Sequence, residues 1–227
     1  MIRLSDLLSE RVEYFSSTRS EGKFIKALEE IQKVAKALGN RELLYRGGGF
    51  SGTYGGSAVK QVFNQRTTYR GFTDAIYRVL KGLKTKFKLV GNIPVFVTPE
   101  KSQAEFFGTV HIFIPDEPDI PILQSSLIYD LTADMGKGSK YEFTSIEDLV
   151  DSYELGWPKL EKNEAIADVS DYYLINPKQM ASSVPSKWEE KFTNPKTYAD
   201  LADIIGKKIW WVRKTSQARK DAGLYNP

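Results

Sequence analysis

"IPVFVTPEKSQAEFFGTVHIFIP" (residues 93–115) changes period twice within a few turns of chain. Residues 93–98 are β-branched and aromatic, which predicts a strand. "PEKSQAEFFG" then predicts a short helix, with Pro99 in its first turn and Gly108 as its stop. In that helix Ala104, Phe106 and Phe107 are expected to face inward. "TVHIFIP" (109–115) predicts a second strand, ended by Pro115. A strand that ends in a hydroxyl, Thr98, and runs into a helix carrying aromatics has two readings. It is a plain strand–turn–helix with a core aromatic pair. Alternatively, the hydroxyl orients a sugar or a carboxylate, and an aromatic stacks on a flat ring.

Working outward, residues 5–15 and 22–38 are expected to be helical. In the second, Phe24, Leu28, Ile31, Val34 and Leu38 recur at helical spacing, and Gly39-Asn40 closes it. A short strand over 42–46 follows, and "SAVKQVFNQ" is ambiguous. Residues 73–87 predict a helix with Phe72, Ile76, Val79, Leu80, Leu83 and Phe87 on its apolar face. "IPILQSSLIYDL" holds a further strand, Ser145 N-caps a short helix, and "NEAIA" and "DYYLINP" read as two strands flanking a turn. From about 196 to 222 the chain is helical again. Strands thus lie mostly between 42 and 177, without regular alternation with helices. This pattern favours α+β over a doubly wound sheet. "DMGKGSK" (134–140) is the expected flexible loop.

Composition narrows the chemistry. The chain has 227 residues, 41% hydrophobic and 27% charged, enough for one core without staples. It has no cysteine, so no disulfide or thiolate metal site is expected. His111 is its one histidine and alternates with Val110 and Ile112, so a half-buried structural role is expected. No dense acidic motif suggests a metal. The opening "MIRLSDLLSERVEYF" carries charges throughout and is not expected to be a signal peptide. No apolar run reaches about 18 residues, so no membrane partner is expected. A cytoplasmic protein is the expectation.

Two further stretches carry candidate chemistry. "LLYRGGGFSGTYGG" (43–56) runs an apolar strand into Arg46 and a glycine-rich loop. No lysine follows at the spacing of a P-loop, and "TYGG" is a poor helix opener for a dinucleotide fingerprint. The loop is either a mobile surface turn or a place where glycines let a ligand approach beside a forked guanidinium. In "NEAIADVSDYYLINP" Glu164 precedes a short apolar strand. It is either an exposed flanking acid or a carboxylate that holds a ribose hydroxyl and stabilises positive charge on a sugar.

In order, the three stretches resemble the mono-ADP-ribosyltransferase superfamily, and the phage-type and toxin-like members in particular. "YRGGG" (45–49) is similar to the family's strand-borne arginine, "FVTPEKSQAEFFG" (96–108) to its hydroxyl–helix–aromatic motif, and Glu164 to its late glutamate. The resemblance implies an ADP-ribosyltransferase-like split β core of the α+β class with helical N- and C-terminal additions. It implies a single domain, with a helical segment over 1–40, an NAD-binding core over 41–180 and a basic helical segment over 181–227. It implies a glycosyltransferase that takes NAD as substrate and an unidentified protein or nucleic acid as acceptor. If the chain is phage-encoded, this would take place in the host cytoplasm. Arg46, Thr98 and Glu164 would be catalytic, with Thr98 orienting Glu164. Arg46, Gly47, Gly48, Phe106 and Phe107 would bind NAD, and no metal is implied. Two features depart from the pattern. Lys162 stands where toxin-like members carry an acceptor-selecting acid or amide, and Thr98 is followed by proline. Asp168 and Asp171 are rival acids to Glu164.

A different class of function rests on charge. Arg78, Lys81, Lys84 and Lys88 are expected on one helix face with no acid beside them. The tail "KKIWWVRKTSQARKDAG" is basic and carries adjacent Trp210 and Trp211. Adjacent helical residues point about 100° apart, so one tryptophan is expected to cap the core and the other to meet a partner. These faces suit a non-catalytic protein that binds nucleic acid or a protein partner, or they are solvated surfaces.

Overall fold

A computed structural model of the chain describes residues 11–15, 20–48, 58–62, 74–90, 93–129, 131, 145–159, 163–169, 171–182 and 184–222. It is a mixed α+β fold built on two small antiparallel sheets. Strands β1 (Arg11–Phe15), β2 (Leu44–Gly48), β3 (Ala58–Val62), β5 (Thr109–Pro115) and β9 (Asp171–Ile175) form the first sheet, in the order β1-β3-β9-β5-β2. Strands β4 (Ile93–Val97), β6 (Ile122–Ser125), β7 (Tyr153–Leu155) and β8 (Ala165–Val169) form the second, in the order β4-β8-β6-β7.

Alternation along the strands sorts side chains into layers. Ile112, Ile114, Tyr173 and Ile175 face outward from the first sheet. They pack under helix α1 (Glu21–Leu38) and helix α7 (Tyr198–Asp221), through Phe24, Leu28, Ile31, Leu201 and Ile205. Leu44, Phe113, Tyr172 and Leu174 point the other way. They meet Val95, Val97, Ala165, Ala167 and Val169 between the sheets. The outer face of the second sheet, with Leu123, Tyr153 and Ile166, is covered by helix α2 (Asp74–Lys86) and helix α4 (Ile146–Asp151). Helix α3 (Lys101–Glu105) packs on β2 and β5. Helices α5 (Pro177–Ala181) and α6 (Ser186–Thr193) complete the layer beside α7.

Polar ties lock these layers. The buried Tyr198 hydroxyl donates to Phe113 O (2.6 Å) and accepts from Leu44 N (3.3 Å), so the start of α7 clamps the β2–β5 pair. That start is a reciprocal cap: Asp200 N donates to Thr197 Oγ1 (3.1 Å), and Thr197 N to Asp200 Oδ2 (3.0 Å). Gly39 ends α1 at φ +63°, a conformation glycine adopts without strain.

Several expectations need correction. Residues 11–15 are not helical but form β1, paired with β3, because Val12 and Tyr14 alternate with Arg11 and Glu13 at strand period. The ambiguous "SAVKQVFNQ" supplies β3. Strand β2 runs through Gly48, so Arg46 lies mid-strand instead of at a strand end. Helix α3 starts at Lys101, after Pro99 and Glu100. Residues 49–57 of the glycine-rich stretch and the loop at 134–140 lie outside the described residues. Among the described residues, no helix is long and apolar enough to cross a membrane.

Candidate active site

Register brings the three candidate stretches together. In the β4–β8 pair Val97 faces Ala165. One further step of the same antiparallel register sets Thr98 opposite Glu164. On its other side, Thr98 forms a single bridge to β2: Tyr45 N donates to Thr98 O (2.7 Å) and Thr98 N to Tyr45 O (2.9 Å). Arg46 is the next residue. The end of β4 therefore spans the gap between the two sheets, with the arginine on one flank and the glutamate on the other. Between them opens a cavity of about 200 Å³, lined by Arg46, Gly47, Thr98, Gln103, Phe107 and Glu164 among others.

Each side chain has a visible support. The Arg46 guanidinium carbon lies 5.5 Å from the centre of the buried Tyr172 ring, over its π-face. Across the strand pair Arg46 faces His111, which is buried. The His111 Nδ1–H donates to Thr109 O (2.9 Å), since a carbonyl only accepts. Burial pushes the imidazole below its ordinary pKa; the Thr109 bond opposes this, and the nearby Arg46 charge adds to it. His111 is more buried than expected and is not part of the cavity lining.

Thr98 does not orient Glu164 directly, as the resemblance implied. Its hydroxyl donates to Gln103 Oε1 (2.5 Å) and accepts from Glu100 N (3.1 Å), so its one proton is committed to the glutamine. Gln103 Nε2 donates to Tyr129 O (3.1 Å), which also accepts from Glu164 N (2.9 Å). The threonine and the glutamate are thus joined through the Gln103 amide and the Tyr129 carbonyl. One Glu164 carboxylate oxygen accepts from Leu131 N (3.1 Å), which fixes the side chain's direction.

The aromatics divide. Phe107 lines the cavity and is 50% exposed. Phe106 is 85% exposed and not part of the cavity lining, which corrects the expectation that both face inward. The reason is the length of α3: the helix ends at Glu105, and only Gln103 and Ala104 are buried. Gly47 lines the cavity, and its missing side chain lets α3 pack closely on β2. A Cβ there would fall 1.9 Å from Ala104 O and 2.8 Å from Phe107 Cβ. Gly48 closes β2 opposite Thr109.

The rival acids lie elsewhere. Asp168 is buried within β8, where its Oδ2 accepts from Val90 N (2.9 Å) and anchors the segment after α2. Asp171 opens β9, and its carbonyl accepts from Asp116 N (3.3 Å). Neither lines the cavity. Reading the sequence for motifs missed Gln103, Tyr129 and Tyr172. None left a local sequence signal, because the partners that define their roles come from distant stretches.

The basic face of α2 differs from the sequence expectation. Arg78 and Lys81 line an open groove whose other wall, α4, carries Glu147 and Asp151. Lys86 Nζ bonds Asp151 Oδ1 at 2.8 Å. Acids from a distant stretch of chain therefore face these cations. Comparison of the chain with protein-family models, curated proteins and solved structures returned no match.

Proposed function

We propose that this chain is a mono-ADP-ribosyltransferase that cleaves NAD and passes ADP-ribose to a macromolecular acceptor. The two-sheet core would be an ADP-ribosyltransferase-like split sheet. The observation that carries the reading is the convergence of Arg46, Thr98, Phe107 and Glu164, from three separate stretches, on one cavity. At about 200 Å³ the cavity is smaller than ligand pockets of roughly 300–1,000 Å³. It suits the nicotinamide–ribose end of the dinucleotide, with the phosphates at its mouth.

In this reading Arg46 braces the phosphates, and Phe107 offers a face to the nicotinamide ring. The bond between ribose and nicotinamide breaks, and its electron pair leaves with the nicotinamide. The sugar becomes cationic, and the Glu164 carboxylate, held by Leu131 N, stabilises that charge where it develops. An acceptor nucleophile then supplies an electron pair to the sugar carbon and loses its proton; with water, the outcome is NAD hydrolysis. The test is nicotinamide release from NAD by wild type, Glu164→Gln and Asp168→Asn. Glu164→Gln should lose about 10²–10³-fold, and Asp168→Asn should retain activity. Equal release by wild type and Glu164→Gln removes the glutamate from the mechanism. Absence of both release and NAD binding by wild type, measured by calorimetry, ends the reading.

A further inference from the structure

The face of α7 opposite the core carries Trp210, the outer member of an aromatic cluster that lies away from the cavity. Trp210 is 52% exposed. Trp188 from α6 lies beside it, with ring centres 6.1 Å apart, and Trp211 lies 5.9 Å from Trp188 and 6.4 Å from Trp210. Trp188 is in turn stacked on the buried Phe192 (6.4 Å), which fixes the cluster to the fold. Lys207 and Lys214 are exposed and stand three residues before and four after Trp210, on the same helix face. The Lys214 ammonium sits 4.9 Å from the Trp210 ring centre. Arg213 is engaged elsewhere, with Glu29 at 2.6 Å.

We propose that this surface binds single-stranded nucleic acid, independently of the reaction assigned to the cavity. The exposed Trp210 ring, between two cations and backed by half-buried Trp188 and Trp211, matches the chemistry of a base flanked by its phosphates. Lys207 and Lys214 lie about 10 Å apart along the helix, within reach of phosphates on either side of a stacked base. A second copy of this chain fits less well, because a two-fold contact would set these lysines against themselves. A lipid surface fits less well too. The apolar stripe of α7 is buried against α1 and the first sheet, so only the tryptophans remain to insert. Three acids are near: Asp203 lies two turns before Trp210, and Glu189 and Glu190 follow Trp188. Asp203, one turn before Lys207, weakens the positive field there more than at Lys214.

The experiment titrates the full chain with a short oligouridylate and follows tryptophan emission. Quenching is expected, and Trp210→Ala should weaken binding about tenfold or more. The exposed double variant Lys207→Glu/Lys214→Glu, which leaves the buried core untouched, should lower the slope of log K against log salt by about 1.4, or about 0.7 per phosphate. Three results overturn the proposal. One is no quenching by oligouridylate. Another is binding unchanged in both variants. The third is an emission shift on phosphatidylglycerol vesicles, or a Trp210-dependent dimer in sedimentation, without oligouridylate binding.

Discussion

Replacing Gly47 by alanine adds one methyl group at the point where β2 meets α3, and its consequence follows from geometry. The new Cβ would lie 1.9 Å from the backbone oxygen of Ala104 and 2.8 Å from Phe107 Cβ. Real Cβ contacts essentially never fall below 3.0 Å, so the strand and helix must part by about 1.1 Å. The obstacle is backbone, so no rotamer change relieves it. The neighbouring Gln103 would move with the helix and strain its bonds to Thr98 (2.5 Å) and Tyr129 O (3.1 Å). Overpacking costs about 1–3 kcal/mol, and each buried polar group left without a partner about as much again. A total of about 3 kcal/mol is expected, on the order of 10 °C in Tm for a chain of this size. Gly22→Ala is the internal control. Nothing lies within 4 Å of its added Cβ, inside α1, and it should stabilise by a few tenths to about 1 kcal/mol. Urea and thermal unfolding of both variants measure this directly. Nicotinamide release by folded Gly47→Ala should fall about 100-fold, because a displacement of about 1 Å misplaces the site. A Gly47→Ala protein with wild-type Tm and wild-type release would refute the close-approach argument, whatever the chemistry of the cavity.

Thr98→Val keeps the shape but removes the hydroxyl that donates to buried Gln103. It should cost about 1–3 kcal/mol in urea unfolding, and nicotinamide release should fall through a lower kcat. Asp168→Ala removes the acceptor of the Val90 N–H and should cost about 0.5–1.5 kcal/mol. Release per folded molecule should hold, because Asp168 does not line the cavity. Lys208 is buried in α7 with its ammonium on Ser182 O (2.6 Å), and burial pushes its pKa down from 10.5 to about 8. Between these values the unfolded chain holds the proton more tightly than the folded one. Stability should therefore rise as pH climbs from about 8 toward 10. Denaturant midpoints across that range should show this rise in wild type and lose it in Lys208→Met.

Local pattern made much of this protein legible. Helix α1 was visible in Phe24, Leu28, Ile31 and Leu38, because a 3.6-residue period leaves its mark on any helix with one buried stripe. β4 and β5 were visible because their β-branched and aromatic residues leave no competing reading. Strand β1 was misread because five residues of alternating pattern are too few to outweigh neighbouring helical spacing, and their pairing partner lies more than forty residues away. Gln103 shows the same limit at the candidate site. Nothing in "KSQAEFFG" distinguishes a solvated glutamine from one that ties Thr98 to the Tyr129 carbonyl, because both partners come from outside the helix. The sequence by itself determined which residue types were present for chemistry and the mixed α+β class, through composition and short-range period. Only the tertiary structure decided that Arg46, Thr98 and Glu164 share a cavity, that α3 packs closely on Gly47, and that Asp168 lies outside the cavity. Those outcomes depend on the register of β4 against β8 and on the single bridge from Tyr45 to Thr98, and strand register is a property of two distant segments together.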